Sequence, residues 1–389
     1  MAEEPIYYVP EEQDDVSILR RVCHISLKRS ATDRRVFHKE CKTLIDAGFD
    51  VSYIVVNQEI NNYTPIQLSS VNLSKRRLFF NKRANNALFK KALSIHAEIY
   101  HIHEPELLPT AIKLKEYGKR VIYGVHQDLE NFKMTYHWSP KFIRKLFVNK
   151  KIQSEKIATA QLDGIIANSP WLRKKMAAVH SIVVDACDFP RLEDYPKPLF
   201  HKESNDLVYY GNFDYSNHAK HFMESLGFFD YNCQLIGSIK GKKLRKILTK
   251  LPGWNHLTEL GKISLENRKN IFSTAKVGVL ADKNNKYNQE RISPQFFEYL
   301  AAGLPVIAPN FENIRKLLKD YKVGKFIDSS ETNDYTKAIK SLSENPHELM
   351  QFSKTARQAF ETDFNWKNEA KKYLIMYRKI ASKEKYGYN

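Results

Sequence analysis

The sequence predicts an α/β fold of two tandem, doubly wound parallel-sheet domains, and three observations predict it. The chain has 389 residues, enough for two domains of roughly 150 to 200 residues, each with its own core. From Ser17 onward short apolar runs alternate with longer amphipathic stretches, the pattern of repeated βαβ units with helices on both faces of a parallel sheet. The same alternation restarts at Leu207, after a stretch with no periodicity.

In the first half VCHISL, FDVSYIVV, EIYHIH and KRVIYGVH read as strands, with FHKECKTLIDAG and LLPTAIKLKEYG as helices closed by glycine. Residues 183–206, with three prolines, several charges and no period, read as a linker. The second half continues with LVYYGNF, the helical HFMESLGF, then YNCQLIGS, HLTELG, KVGVLA and VGKFID. The expected domains are therefore 1–188 and 189–365, with a helix over 366–389 that packs on either one. Ligands of open α/β sheets bind outside the carboxyl ends of the strands, so the chemistry is expected on strand-to-helix loops.

Composition excludes several classes. A 42% hydrophobic content with 14 glycines and 15 prolines is that of a globular chain. No apolar run reaches the roughly 18 residues of a membrane span, and the first residues are acidic where a signal peptide is basic then apolar, so a cytoplasmic protein is expected. Cys23, Cys41, Cys187 and Cys233 are scattered, which favours reduced thiols over a disulfide framework or zinc ribbon. The net charge of +18 is shared, +8 in residues 1–190 and +10 in 191–389, and suits an anionic partner.

The stretch QERISPQFFEYLAAGLPVIAP, residues 289–309, carries the most chemistry. KVGVLA before it is a buried strand and the polar DKNNKYNQERI a loop. Ser293 then serves as N-cap and Pro294 as first helical residue; the helix runs to about Ala302, Gly303 stops it, and VIAP is the next strand. The first turn of such a helix is a site for phosphate, because its free N–H groups and dipole favour an anion. Glu290 lies before that site, in the loop, and Glu298 beyond it. Two carboxylates flanking a diphosphate site suit vicinal hydroxyls at both ends of a nucleotide sugar, although isolated glutamates are as often surface groups.

The spacing E-x(7)-E followed by YLAAGLPVI resembles the donor-site motif of the retaining glycosyltransferases of family four, which have the GT-B fold. DRRVFHKE (33–40), IYHIHEPELLP (99–109), VIYGVHQD (121–128) and FNWK near residue 366 agree in order along nearly the whole chain. The resemblance implies a sugar transferase that uses a nucleoside diphosphate donor, UDP foremost, with retention of configuration and without a metal or other cofactor. It assigns Glu298 to the ribose hydroxyls, Glu290 to the donor sugar, Ser293 and the amides after it to the diphosphate, and His126 to the transferring sugar. Gly211, Lys220, Lys262 and Arg291 complete the donor set, while Asp33 and Arg34 match the first N-terminal loop. Two departures from the family pattern concern its basic residues: after the first strand of the second domain Asn212 stands where Arg is common, and after Pro294 Gln295 occupies the place often taken by Lys.

His101 and His103 alternate on one strand as metal ligands do, but no further His/Cys cluster in the sequence completes a site. Residues 73–97 carry seven Lys/Arg and no acid beside an apolar stripe, and 131–151 mix aromatics with six basic residues. Both suit either domain helices or contact with the inner face of the cell membrane, where a lipid-linked or glycan acceptor of surface polysaccharide assembly would be met. A nucleotide-sugar epimerase of related fold is the second reading. Nucleic-acid binding is the rival from another class, disfavoured because the basic residues are dispersed.

Overall fold

The computed structural model describes residues 21–60, 65–73, 82–126, 141–198, 206–215, 217–290 and 293–382. The first sheet has seven parallel strands: β1 (Arg21–Ile25), β2 (Asp50–Val56), β3 (Gln67–Val71), β4 (Ile99–Ile102), β5 (Arg120–Val125), β6 (Gly164–Ala167) and β7 (Val183–Asp185). Their order is β3-β2-β1-β4-β5-β6-β7. The second sheet contains β8 (Leu207–Tyr210), β9 (Cys233–Ile236), β10 (Leu257–Glu259), β11 (Val277–Val279), β12 (Val306–Pro309) and β13 (Gly324–Ile327), in the order β10-β9-β8-β11-β12-β13. The strand order therefore reverses twice, between β1 and β4 and between β8 and β11, and these are the crevices where such sheets bind ligands.

Most strands coincide with the apolar runs of the sequence, because a strand covered on both faces must be apolar throughout. The differences have physical causes. β7 falls inside the segment read as linker, since three residues of an edge strand make too short a run for any period to show. β3 reads QLSSV and is only half buried, so its polar content hid it. The loop after β11 contains a helical turn, Lys286–Glu290, which places Glu290 at a helix end rather than in open loop.

The basic stretch 73–97 includes a helix, Lys82–Leu93, whose Ala84, Leu88 and Ala92 lie in the core of the first domain. Its apolar side is therefore occupied by protein. Residues 74–81 and 131–140 of the two basic stretches lie outside the described residues; the second includes the start of a helix, Lys141–Thr159, whose Val148 is buried. Among the described residues no helix is long and apolar enough to cross a membrane.

The chain ends by crossing back. Helix Pro346–Thr362 packs on helix Pro294–Ala301, where Arg357 donates to the Ala301 carbonyl and Ser353 to the Gly303 carbonyl. Helix Trp366–Ser382 then lies on the first domain: Tyr373, Met376, Tyr377 and Ile380 are fully buried with Val22, Val51 and Ile166. Trp366 Nε1 donates to Thr43 Oγ1 at 2.9 Å, and Glu369 Oε2 accepts the Cys187 amide at 2.7 Å.

Two stability predictions follow from this packing. Met376→Ala should lower unfolding free energy by about 2–5 kcal/mol, the usual range for truncating a buried Met, and amide exchange should rise first in the first domain; loss of protection confined to 207–362 would contradict the helix placement. At the second switch point, a Cβ on Gly278 would meet the Tyr299 ring at 2.6 Å. Overpacking of that kind costs roughly 1–3 kcal/mol, so Gly278→Ala should show a lower urea midpoint, whereas an unchanged midpoint would mean that the ring is not held there.

Candidate functional site

In the second domain, helix Pro294–Ala301 leaves the carboxyl end of β11 and is followed by Gly303 with φ +61°, the left-handed residue that ends it. Ser293 occupies the N-cap position, but its hydroxyl bonds to Gln295 Oε1 at 2.9 Å instead of capping the helix. It is buried and lines a small hollow with Leu280, Asp282, Asn288 and Phe296. Tyr299, over Gly278, accepts the Tyr210 amide at 2.7 Å and so ties the helix to the end of β8.

Glu298 is the best-connected group of this helix. Its side chain is only 3% exposed, and its two oxygens accept three charged or hydroxyl donors. Arg34 Nη1 reaches Oε1 at 2.6 Å, while Tyr195 OH and Arg268 Nε reach Oε2 at 2.7 and 2.8 Å. Arg34 comes from the loop after β1, Tyr195 from the connection between domains, and Arg268 from helix Leu265–Thr274. The first domain, the connection and the second domain therefore meet at one carboxylate. The Glu298 carboxylate that the sequence assigns to ribose hydroxyls is in this structure bonded to protein, through a guanidinium that is itself 39% exposed. Arg268 lies over the Tyr210 ring, 4.6 Å from its centroid, and keeps a buried Nη2 without a hydrogen-bond partner.

The other donor-site candidates are less concentrated. Glu290 closes the short helix 286–290, with Lys286 Nζ 3.9 Å away. Arg291 lies outside the described residues. Lys220 is exposed on helix Ala219–Leu226 and pairs with Glu224 at 3.3 Å, and Lys262 is exposed after β10. Gly211 follows β8, its amide bonded to the Ile236 carbonyl at 3.0 Å. Asn212, standing where the family has Arg, accepts from the Ser238 amide at 3.0 Å and joins the loops after β8 and β9.

The first domain presents a buried histidine cluster at its own switch point. His24 on β1, His101 on β4, His103 just after it and His126 at the end of β5 lie side by side. His24 Nδ1 and His103 Nε2 are 2.9 Å apart, and His103 Nδ1 and His126 Nε2 3.2 Å. Tyr377 of the last helix bonds His101 Nδ1 at 2.8 Å. Burial pushes His24 and His101 down to about 3, the latter with the help of Arg35 and Arg29, and lowers His103 and His126 strongly as well. All four are neutral at pH 7. Glu40 comes within 3.8 Å of His103 Nδ1 and is bonded by Arg35 Nε at 2.7 Å.

The fold places two residues beside His101 and His103 that spacing along the chain does not suggest: His24 and Glu40, both distant in sequence. Sequence reasoning also missed Arg268 and Tyr195. Both stand in polar stretches, LENRKN and RLEDYPK, where a charged or hydroxyl residue is no signal and nothing local tells which carboxylate it meets.

Known proteins agree with this architecture. Residues 34–184 match the model described as Glycosyltransferase Family 4, and residues 191–359 the model described as Glycosyl transferases group 1. No curated protein matches the sequence. Among solved structures, the sucrose-phosphate synthase of Thermosynechococcus elongatus superposes with a TM-score of 0.72 at 16% identity, over 94% of this chain and 100% of that one. Anabaena HepE, in complex with UDP and glucose, gives 0.71 at 10% identity over 92% and 100%. The alpha,alpha-trehalose-phosphate synthase (UDP-forming) of Burkholderia vietnamiensis gives 0.65 at 12% over 94% and 99%. With its first domain matching one glycosyltransferase model and its second domain another, on two facing parallel-sheet domains, the chain is a glycosyltransferase of the GT-B fold.

Proposed function

We propose that the protein moves a sugar, with retention, from a nucleoside diphosphate sugar to a glycan or lipid-linked acceptor in surface polysaccharide or glycoconjugate assembly, with UDP as the nucleotide. The observation that carries the reading is Glu298, a buried carboxylate at the second switch point gripped by Arg34 from the first domain. A ribose diol offers two hydroxyl donors to such a carboxylate, and its arrival would release Arg34, a cation already at the domain boundary, toward the diphosphate. Arg268, with its unpartnered Nη2, supplies a second cation in a chain that lacks the family's usual pair. The neighbours solved with UDP and glucose support the choice of nucleotide.

In the reaction the bond between the anomeric carbon and the β-phosphate oxygen breaks, and its electron pair leaves with the nucleoside diphosphate. The acceptor hydroxyl attacks from the same face and gives its proton to that phosphate oxygen. The start of helix Pro294–Ala301 and the arginines stabilise the charge that develops there, usually the largest single contribution in such sites. Glu290 orients the sugar hydroxyls, and His126, held neutral, hydrogen-bonds to the transferring sugar without adding a charge next to an oxocarbenium-like centre.

Two measurements test this. Release of nucleoside diphosphate, followed with UDP-, GDP- and CDP-sugars, should show turnover with a UDP-sugar; absence of turnover with every donor, together with tight duplex binding that weakens steeply with salt, would favour nucleic-acid recognition instead. Glu298→Gln should weaken UDP affinity about tenfold or more, the worth of one charge-assisted hydrogen bond, whereas Glu290→Gln should chiefly lower kcat. Wild-type affinity and turnover in both variants would refute the site. Glu298→Ala is the harsher change, since it strands Arg268, and is expected to cost about 3–5 kcal/mol of stability.

A further inference from the structure

The histidines of the first switch point form one hydrogen-bonded row that runs from His126 to the last helix. His126 Nε2 meets His103 Nδ1 at 3.2 Å, His103 Nε2 meets His24 Nδ1 at 2.9 Å, and His24 Nε2 meets Tyr377 OH at 3.4 Å. Tyr377 OH also meets His101 Nδ1 at 2.8 Å and Tyr373 OH at 3.0 Å. The rings close up over Gly124, where a Cβ would clash with His101 Nε2 at 2.8 Å. All four imidazoles are neutral at pH 7. A neutral imidazole carries one N–H and one lone pair, so each link between rings holds one hydrogen and all links point the same way. One direction leaves the hydrogen of His126 on Nδ1, the other on Nε2.

Charges at two places select the direction. Glu40 Oε2 lies 3.8 Å from His103 Nδ1, too far for a hydrogen bond yet near enough to favour a hydrogen on that nitrogen, while Arg35 Nε holds Oε1 at 2.7 Å. At the far end Arg35 and Arg29 stand near His101, and cations favour a lone pair on its Nε2, which is buried without a hydrogen-bond partner. The His101 hydrogen then sits on Nδ1, toward Tyr377, and the Tyr377 hydrogen goes to His24 Nε2. Both ends agree: His24 donates from Nδ1 to His103, and His103 donates from Nδ1 to His126 Nε2. We propose that Glu40, acting through His103, fixes the hydrogen of His126 on Nδ1, so that His126 meets the donor sugar as a hydrogen-bond donor. Glu40 and His103 are positioning residues for the transfer. His126 Nδ1 ends the row, buried and without a partner among the described residues. In water a neutral histidine prefers its hydrogen on Nε2, so the row imposes the less common form. With the hydrogen on Nδ1, His126 bonds a sugar hydroxyl through its oxygen and leaves the hydroxyl hydrogen for an acceptor. The role toward the sugar rests on the sugar-transfer reading above; the placement of the hydrogen does not.

Nitrogen-15 NMR of the full-length protein with labelled histidine reads the tautomer directly, and the His126 signals are identified by their loss in His126→Gln. At pH 7 the wild type should show His126 with a hydrogen on Nδ1 and a bare Nε2. Glu40→Gln can keep a carbonyl on Arg35 and put an NH2 group beside His103 Nδ1, so the hydrogen of His126 should move to Nε2. In that variant kcat should fall about tenfold, roughly the worth of one neutral hydrogen bond, while UDP affinity holds; circular dichroism checks that it is folded. A wild type with the hydrogen on Nε2, or with both forms in exchange, overturns the proposal even if the variant fails to fold. So does folded Glu40→Gln that keeps the hydrogen on Nδ1, or that moves it with kcat unchanged. If no sugar donor turns over in the wild type, the sugar-transfer reading fails, and the spectra still decide where the hydrogen sits.

Discussion

The Glu298 carboxylate is the interaction on which the arrangement of the two domains depends. It is nearly inaccessible to water, and a buried charge is tolerated only when paired and fully hydrogen-bonded. Here the pairing is drawn from three places: the first domain through Arg34, the interdomain connection through Tyr195 and the second domain through Arg268. Because the helix bearing Glu298 is tied by Tyr299 to β8 and packed beneath Phe189, Phe360 and Phe364, the carboxylate is rigid relative to the second sheet. Anything that competes for its oxygens therefore acts on how the domains meet.

A second set of contacts holds the same junction from behind. Lys39, almost fully buried, donates to Asp188 and to the Phe189 carbonyl, and Arg35 donates to the Ala186 carbonyl. The helix that follows DRR in the sequence is thereby bonded to the segment leading into the second domain. Arg357 reaches the carbonyls of Tyr195 and Pro196 from the opposite side. Backbone carbonyls of an irregular connection must find donors when buried, and here they are long cationic side chains from both domains.

The last helix makes the first domain complete only after the second has been traversed. Its tyrosines supply hydroxyls to His101 and His24, and its apolar side closes the sheet face opposite the one covered by helix Lys82–Leu93. The environment of the histidines is thus shared between residues more than 250 positions apart. Neutral, desolvated imidazoles beside Arg29 and Arg35 follow from that enclosure.

Much of this was readable in the sequence itself. Apolar runs separated by helical periods gave nearly every central strand, and the Ser-Pro start and Gly303 stop bounded the helix of Glu298, because capping and periodicity are local properties of the backbone. Edge strands β3 and β7 escaped since short, half-exposed strands carry little pattern. What only tertiary structure decided is pairing: that Glu298 is clasped by arginines of both domains, that Asn212 serves a neighbouring loop, and that Glu40 and His24 join His101 and His103. A buried charge or imidazole takes its properties from the groups that surround it in space, and strand order, which brings residues 24, 40, 101 and 126 together, is a long-range outcome of folding that spacing along the chain does not encode.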